Sequence, residues 1–388
     1  MPPTSAKARP KAASAIHPIL VWNETTAQFA REELQRRVYG RIPRVDLQID
    51  EISPLTEPRT EMNVEQWRLV SPSRGKAFAL DVLLVWPRVA PPRVVLLAQK
   101  FRHADATIGD CTAALLGNAG AKGLRLRLRE WILGAHIHAP PFHDLIGAGV
   151  GVVLFHPAQL VPDHPAHSAP IMEAMSDGIA APDRGGVLAH WAGITSALRA
   201  HVSERFKATP IVAWGHSRHG KAALLATAFD EGFAGAVAHQ SGRFGASLTH
   251  GARGESVRQI ARAFPHWFCQ RFQDDRTQHS GEIDQHHLLA LIAPRPVLLG
   301  NATSDFWADP KGAVRAALAA SAAYRALGAA GLAERPGIAG DIAVFERAGW
   351  HGINAEDWRC FLSFLDAKFT PLQSGASATL RTFVASGA

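Results

Sequence analysis

Short apolar segments alternate with helical segments over most of this chain, and this alternation constrains the fold more than any other feature. Each apolar segment is short and continuous, as expected of a strand that is buried on both faces of a sheet. These segments cover residues 94–98, 151–155, 211–214, 235–238, 297–300 and 342–345. The helical segments between them cover residues 186–202, 221–229, 313–327 and 356–369. This order predicts an α/β fold, with a mostly parallel central sheet and helices on both of its faces.

The first hundred residues follow a different pattern. Apolar positions at helical spacing predict a helix over residues 25–39, which ends at Gly40. Apolar and other residues then alternate, or nearly so, in three segments that we predict to be strands. These strands cover residues 45–49, 65–70 and 77–86. Turn-forming residues at 71–75 join the last two strands into a hairpin, so we expect an antiparallel lead-in to the parallel sheet. The pattern of residues 103–148 supports no assignment.

The length and composition allow one large core. Of the 388 residues, 47% are hydrophobic and 19% are charged, which excludes a disordered or fibrous chain. We expect a flexible N-terminal arm at residues 1–18, a single catalytic domain at residues 19–370 and a C-terminal tail at residues 371–388.

The charge and the cysteines exclude several classes of partner. The net charge is +7, but the densest basic run, Arg125, Arg127 and Arg129, alternates with leucines and indicates one solvated and one buried face. We therefore expect no nucleic-acid partner. The three cysteines are far apart and lack metal-ligand spacing, so we expect no disulfide framework, no metal and no cofactor.

Hydropathy adds two further expectations. No apolar stretch reaches the length of a membrane span, and the N-terminal residues lack the apolar segment of an export signal. We therefore expect a cytoplasmic protein without a membrane partner. The sequence leaves its oligomeric state open.

The segment IVAWGHSRHGK at residues 211–221 indicates chemistry most directly. A buried strand runs into Ser217 and a helical segment follows at once, which is the pattern of a nucleophile elbow in an α/β-hydrolase. Gly215 and Gly220 suit the tight turn, because bulkier residues would clash there. The common form of this elbow is GxSxG, whereas here His219 takes the second glycine position. We predict that Ser217 is the nucleophile; a helix-capping serine is the alternative.

A serine nucleophile needs a base, and the base needs a carboxylate to orient it. In α/β-hydrolases the acid and then the histidine follow the serine along the chain. Asp305 and His351 stand in loops directly after the last two apolar segments, so we predict that they are the acid and the base. Asp309 is the alternative acid, although the proline after it favours a helix cap. Three other histidines are weaker candidates for the base because they lie in no predicted strand-end loop: His266, His286 and His287.

Several short stretches then point to one known family. They are GHSRHGK at 215–221, QSG at 240–242, GE at 254–255, FPHWF at 264–268, DQHHLLALIAPRP at 284–296, DFWADP at 305–310 and WHG at 350–352. Weaker matches are VYGRIP at 38–43 and VPD at 161–163. Through these stretches the chain resembles the glucuronoyl esterases of carbohydrate esterase family 15. The resemblance covers residues 30–368 and is strongest from residue 185 onward.

The resemblance implies hydrolysis of esters between the carboxylate of glucuronic or 4-O-methyl-glucuronic acid and an alcohol. It implies that Arg218 helps the backbone to stabilise the oxyanion, and that Lys221, Glu255 and Trp307 bind the sugar. These residue types suit the chemistry, since a developing oxyanion needs fixed donors. The expected partner is therefore a uronate ester, either a small molecule or an oligosaccharide.

Gln240 departs from the family. Many members carry a glutamate at this position, where it can serve as the acid of the triad. An amide cannot carry the charge, so the acid role falls to Asp305, and we group Gln240 with the substrate-binding residues. Residues 99–101, where an oxyanion loop is expected, also match the family poorly.

Two other functions stay open at this point. The first is an esterase that acts on another small ester, such as an acetylated sugar. The second is a catalytically weak homologue that binds a uronate without turnover. Many family members are secreted, and the missing export signal favours a soluble uronate ester over a polymeric one.

Overall fold

The computed structural model describes residues 18–19, 21–55, 61–72, 75–100, 132–134, 136–137, 139–251, 253–274, 283–334 and 337–370. The predicted arm, apart from Pro18, and the predicted tail lie outside the described residues, as do Arg125, Arg127 and Arg129. Most of segment 103–148 lies outside them as well.

Nine strands of the described residues pair into one sheet. They are β1 (Gln48–Pro54), β2 (Met62–Ser71), β3 (Gly75–Pro87), β4 (Val94–Gln99), β5 (Val150–Phe155), β6 (Ile211–His216), β7 (Gly235–His239), β8 (Val297–Ala302) and β9 (Ile342–Arg347). Their order across the sheet is β1-β2-β3-β5-β4-β6-β7-β8-β9. The pairs from β1 to β5 in this order are antiparallel and the pairs from β5 to β9 are parallel. The predicted α/β fold, with its antiparallel lead-in, is confirmed.

The position of β4 creates a crevice at the carboxyl edge of the sheet. Val95 of β4 pairs with Gly151 of β5 on one side and with Ile211 of β6 on the other. The chain thus runs from β4 to β5, then crosses back past β4 to β6. Such a reversal leaves a crevice where the two strands end, and α/β proteins bind their ligands there.

Helices cover the sheet and connect its strands. The α-helices are α1 (Glu24–Leu34), α2 (Phe142–Gly147), α3 (Pro165–Met175), α4 (Val187–Arg205), α5 (Arg218–Phe229), α6 (Val257–Ala263), α7 (Gln270–Asp274), α8 (Gln285–Ala290), α9 (Pro310–Ala326) and α10 (Ala355–Phe369). A π-helical turn continues α1 over Gln35–Tyr39, and short 3₁₀ turns cover Pro157–Gln159, Ala181–Asp183, Pro265–Trp267 and Phe306–Ala308. Among the described residues, no helix has the length and apolar character to cross a bilayer.

The two faces of the sheet carry separate apolar cores. Val95 and Leu97 of β4 point into a core that α4 and α5 cover, and this core includes Trp191 of α4 and Leu224 of α5. Val94 and Leu96 point into the opposite core, together with Trp358 and Phe361 of α10. Both faces of the central strands are buried in this way, which explains why their sequences are continuously apolar.

The helix predicted at residues 25–39 is confirmed, with local chemistry at both ends. Asn23 accepts the backbone N–H of Thr26 at 3.0 Å and so caps the first turn. The helix ends at Gly40, whose φ of 75° lies in the left-handed region. The hairpin is confirmed too, since β2 and β3 pair from Met62–Pro87 to Ser71–Gly75.

The strand predicted at residues 45–49 is wrong over most of its length, because β1 begins only at Gln48. The carbonyl of Leu47 accepts from Nε2 of His201 in α4 at 2.8 Å, and Val45 packs against the core. The alternation of this segment therefore reflects contact with a helix rather than strand pairing. Several helices had no sequence signal strong enough to predict them, among them α3, which contains Pro170.

Candidate active site

Ser217 occupies the turn between β6 and α5. Its backbone has φ 54° and ψ −123°, a combination that residues with side chains rarely adopt and that costs about 1–3 kcal/mol. The N–H of Ser217 donates to the carbonyl of His239, in the adjacent strand β7, at 2.8 Å. The strand–turn–helix predicted from the sequence is therefore present, and it places Ser217 at the carboxyl edge of the sheet.

The two glycines of this turn are required by close approaches of the backbone. A Cβ on Gly215 would lie 2.2 Å from the carbonyl oxygen of His219. A Cβ on Gly220 would lie 3.0 Å from the carbonyl oxygen of Gly215 and 3.0 Å from the Cβ of Ser241. The His219 side chain is directed elsewhere, against the ring of Trp191 at a centroid distance of 4.8 Å. This packing explains how a histidine fits where the common form of the elbow has glycine.

His351 and Asp305 meet at the same edge of the sheet. Nδ1 of His351 lies 2.7 Å from Oδ2 of Asp305. The carboxylate is almost fully buried, whereas 38% of the His351 side chain is exposed. Because Nδ1 faces a carboxylate, the neutral imidazole carries its proton there and leaves Nε2 as an acceptor. The ring of His351 also lies beside His216, the residue before Ser217, at a centroid distance of 4.6 Å.

Asp309, the alternative acid, has other contacts. Its Oδ1 accepts the N–H of Gly312 at 3.0 Å and its Oδ2 accepts the N–H of Arg253 at 3.1 Å. It is the N-cap residue of α9. The geometry therefore pairs Asp305 with His351 and gives Asp309 the capping role that the following proline indicated.

Gln240 lies beneath the loop that carries His351. Its side chain is buried, its Nε2 donates to the carbonyl of Trp350 at 3.1 Å, and its Oε1 accepts the N–H of Gly352 at 2.8 Å. Its prediction as a substrate-binding residue conflicts with this placement, because both ends of the amide are engaged by the protein itself. The sequence could not show this, since the contact joins residues 110 positions apart.

An ion pair supports the same loop from the other side. Nε of Arg347 lies 2.8 Å from a carboxylate oxygen of the buried Asp357. Nη2 of Arg347 donates to the carbonyl of Gly352 at 2.8 Å. Nε2 of His239 lies 3.1 Å from that same carbonyl. These contacts hold the backbone of the loop against β7, β9 and α10.

Two buried histidines lie next to His351, and both favour the neutral form. Burial lowers the pKa of His216 well below its usual value, and the neighbouring His351 acts in the same direction. Burial also lowers the pKa of His239, to about 4, although Asp357 opposes this shift. The positions around His351 are thus occupied by two imidazoles, His216 and His239, that favour the neutral form.

Arg218 is held by a carboxylate and two aromatic rings. Its Nη1 pairs with Oδ2 of Asp163, and its guanidinium lies 5.2 Å from the ring centroid of Phe264 and 5.1 Å from that of Trp267. Asp163 also accepts from Nε2 of His266 at 2.9 Å and from Nε1 of Trp267 at 2.7 Å. Burial by itself would raise the pKa of Asp163, but these hydrogen bonds and the Arg218 charge hold it well below its usual range.

Lys221 lies one helical turn after Ser217, and its N–H donates to the Ser217 carbonyl at 3.2 Å. Its Nζ is buried and donates to the carbonyls of Ser241, at 2.6 Å, and Arg243. Burial lowers the pKa of Lys221 to about 7, against the opposing charge of Glu255. A buried ammonium whose charge is this weakly stabilised is typical of functional sites.

Glu255 and Trp307 lie together near Lys221. The N–H of Glu255 donates to the carbonyl of Trp307 at 3.2 Å. Glu255 is buried and its pKa is raised by desolvation, whereas 56% of Trp307 is exposed. A Cβ on the preceding Gly254 would lie 2.2 Å from the carbonyl oxygen of Phe306, so only glycine allows this approach.

The rival histidines are placed apart from the Asp305 carboxylate. His266 contacts Asp163, and Nδ1 of His287 accepts the N–H of Asp284 in a capping box. His286 is buried in α8. Gln99 and Lys100 are buried at the end of β4, while Phe101, the last residue of the expected oxyanion segment, lies outside the described residues.

Sequence reasoning missed Asp163 and His216. Asp163 stands in the VPD stretch at 161–163, which carried a weak family signal but no role. His216 directly precedes the serine, and nothing in its local pattern indicated a partner. In the described part of the chain, no group of three or more His, Cys, Asp or Glu side chains could hold a metal ion.

Comparison with known proteins identifies the family. The model of the family described as "Glucuronyl esterase, fungi" matches residues 146–328. Carbohydrate esterase MZ0003, from an unknown prokaryotic organism, is 30% identical over 374 residues, which are 90% of this chain and 85% of that protein. This chain belongs to carbohydrate esterase family 15, the glucuronoyl esterases. It is a carboxylic ester hydrolase.

Two further relatives show how this esterase compares in sequence and structure. The structure of a promiscuous family 15 esterase from a marine bacterial metagenome superposes with a TM-score of 0.75 at 28% identity, covering 89% of this chain and 92% of that one. 4-O-methyl-glucuronoyl methylesterase 1 of Wolfiporia cocos is 31% identical over 144 residues, 35% of each chain. The α/β-hydrolase fold predicted from the elbow is thereby confirmed.

Proposed function

We propose that this esterase hydrolyses esters of glucuronic or 4-O-methyl-glucuronic acid through an acyl-enzyme formed on Ser217. The observation that carries the proposal is the 2.7 Å contact between His351 and Asp305 at the sheet edge where the strained Ser217 turn lies. A serine, a histidine with a carboxylate on Nδ1, and a nearby cation are the parts that acyl transfer needs. Names of relatives support the substrate class, one of them a 4-O-methyl-glucuronoyl methylesterase.

In the first half of the reaction, Nε2 of His351 takes the proton of the Ser217 hydroxyl as its oxygen attacks the ester carbonyl. Asp305 stabilises the resulting imidazolium. The carbonyl oxygen becomes an oxyanion, and Arg218 stabilises it together with backbone N–H groups. A guanidinium has donors on more than one edge, so a side chain anchored by Asp163 can donate to a second acceptor. The C–O bond to the alcohol then breaks, and the alcohol leaves with the proton from His351.

Water completes the cycle in the second half. His351 takes a proton from water as the water oxygen attacks the acyl-enzyme carbonyl. The bond to Ser217 breaks, the serine oxygen recovers the proton, and the free uronate leaves. In this scheme Lys221 and Glu255 bind ring hydroxyls of the sugar, and Trp307 offers an exposed aromatic surface beside them.

The experiment that tests the proposal compares wild type with Ser217→Ala on methyl glucuronate, benzyl glucuronate, methyl galacturonate and p-nitrophenyl acetate. Loss of the nucleophile should lower kcat on the order of 10⁴-fold or more. Ester hydrolysis by the variant at a rate near that of wild type would end the assignment of Ser217.

A second variant separates a uronate esterase from a general one. Lys221→Met removes a buried donor, so kcat/KM for methyl glucuronate should fall about 5- to 150-fold, equivalent to about 1–3 kcal/mol. The loss on p-nitrophenyl acetate should be much smaller, because that ester has no ring hydroxyls. Lys368→Met is the matched control, since Lys368 pairs with Asp341 at 2.9 Å and has no part in the site. Equal losses on both esters would point to an esterase for other small esters.

A further inference from the structure

Gln240 directly follows β7 and has a backbone conformation that residues with side chains rarely adopt. Its φ is 48°, in the left-handed region, and its own N–H donates to the carbonyl of Gly300 in β8 at 2.7 Å. Only 1% of the residue is exposed. The side chain is thus held in the interior of the protein.

The amide of Gln240 brackets His351. Its Nε2 binds the carbonyl of the residue before the histidine, Trp350, and its Oε1 binds the N–H of the residue after it, Gly352. These two partners also determine the orientation of the side-chain amide, because a carbonyl can only accept and an N–H can only donate. Arg347 also reaches both sides of His351, since its Nη2 donates to the carbonyls of Trp350 at 3.3 Å and Gly352 at 2.8 Å, but Gln240 is the side chain that also accepts the N–H of Gly352.

His216 completes the arrangement. Its Nε2 lies 2.9 Å from Oε1 of Gln240, so this imidazole nitrogen carries the proton and donates to the amide oxygen. The same oxygen therefore accepts two hydrogen bonds, one from the loop and one from the residue next to the nucleophile. The amide links the Ser217 turn to the His351 loop through neutral groups only.

We propose that Gln240 is a positioning residue, which sets the place of His351 relative to Ser217, and that this position requires an amide. The inference rests on the proposed function, in which His351 is the base. A carboxylate at residue 240 could accept from Gly352 and His216, but it would turn an acceptor toward the carbonyl of Trp350. An apolar side chain would break all three of these hydrogen bonds, and the Trp350 carbonyl would keep only its 3.3 Å contact with Nη2 of Arg347.

The consequence concerns the acid of the triad. Many members of this family carry a glutamate at the position of Gln240. In this chain, the residue at that position hydrogen-bonds to the backbone of the loop that carries His351. Asp305 alone supplies the negative charge of the proposed triad. Replacing Gln240 with glutamate therefore weakens the site rather than adding a second acid to it.

The test measures kcat and KM for methyl glucuronate with Gln240→Met, Gln240→Glu and the control Gln285→Met. Gln285 is also a buried amide, and its Oε1 accepts from the Tyr39 hydroxyl at 2.9 Å, but it has no contact with the His351 loop. Gln240→Met should lower kcat about 100-fold with KM nearly unchanged, because displacement of a catalytic group by about 1 Å has that effect. Gln240→Glu, which keeps the size of the side chain, should lower kcat at least about tenfold at pH 8. Gln285→Met should reduce thermal stability and leave kcat at the wild-type value.

Several outcomes would overturn the inference. A Gln240→Glu enzyme with wild-type kcat would show that the amide is not required, even if Gln240→Met failed to fold. A rise in KM with unchanged kcat would make Gln240 a substrate contact. His351→Ala, measured in the same assay, distinguishes a failure of the positioning role of Gln240 from a failure of the proposed base. If it is inactive while both Gln240 variants are fully active, only the positioning role fails; if it is active, the proposed base and the inference fail together.

Discussion

The two sides of Ser217 are held in place by different chemistry. On the Arg218 side, the carboxylate of Asp163 contacts charged and aromatic groups. It pairs with Arg218 and accepts hydrogen bonds from His266 and Trp267. The guanidinium itself lies over aromatic rings. These contacts join side chains to other side chains.

The His351 side is held mainly through backbone groups. Gln240 and Arg347 bind the peptide groups on either side of the histidine, and the buried His216 next to it favours the neutral form. The charge of Arg347 is matched by Asp357. Asp305 is therefore the carboxylate that acts directly on the imidazole.

In the proposed mechanism, this difference follows from the role of each side chain. An oxyanion-stabilising arginine is a long cation, and a carboxylate with flat aromatic surfaces holds its planar head in one orientation. A base must keep a pKa near the working pH, and unmatched charges around it would shift that pKa. Neutral donors and acceptors can fix its position without changing its charge balance.

The largest expected effect is on the His351 side. Asp305→Asn keeps the size of the acid but removes the charge that stabilises the imidazolium, and it favours the wrong tautomer, a change that costs about 10⁴-fold in serine proteases. We expect a loss in kcat of that order for methyl glucuronate at fixed pH. Asp309→Asn is the matched control: it should keep kcat and lose about 1 kcal/mol of stability, because an amide oxygen can replace only one of the two carboxylate oxygens that accept the N–H groups of Gly312 and Arg253. If Asp309→Asn is the inactive variant, the acid has been assigned to the wrong aspartate.

A smaller effect is expected on the other side of Ser217. Arg218→Met removes the proposed donor to the oxyanion, and loss of one such donor typically lowers kcat about 10²–10³-fold. KM should change little, because the interaction forms in the transition state. Arg199→Met serves as control, since Arg199 pairs with Asp230 at 2.7 Å, at the opposite end of α5 from Ser217. An Arg218→Met enzyme with unchanged kcat would leave the oxyanion to backbone N–H groups alone.

The smallest effect is expected for Asp163, whose proposed role is to hold Arg218 in place. Asp163→Asn leaves Arg218 on its aromatic surfaces without its counter-charge, and we expect kcat to fall about tenfold. A loss as large as that of Arg218→Met would mean that the carboxylate itself takes part in the reaction.

Asp163→Asn also predicts a change in how stability depends on pH. The pKa of Asp163 is lower in the fold than in the unfolded chain, so its contribution is complete above the unfolded pKa, about 3.9, and is lost as the pH falls toward the folded pKa. The variant should therefore be less stable than wild type by the same amount at pH 7 and pH 5, and by less at pH 3. Urea unfolding at the three pH values measures this, and a difference that is constant down to pH 3 would contradict the ion pair with Arg218.

Much of the fold was predictable because its signals are local. Strands buried on two faces are continuously apolar, and the glycines around Ser217 follow from a turn in which a Cβ on Gly215 would lie 2.2 Å from a carbonyl oxygen. The rule that catalytic loops follow parallel strands was enough to place Asp305 and His351 at one edge of the sheet. The same local reasoning failed at residues 45–49, where alternation that suits a strand came from packing against α4.

The sequence by itself determined the alternation of strands and helices, the elbow at Ser217 and the candidate acid and base, because each of these depends on residues close together in the chain. Only the tertiary structure decided which of two aspartates reaches His351, what Gln240 does and how Arg218 is held. Asp163 and Arg218 are 55 positions apart, and Gln240 and Trp350 are 110 positions apart. Such contacts depend on the order of strands in the sheet, and no local pattern of residues records which distant groups that order brings within hydrogen-bonding distance.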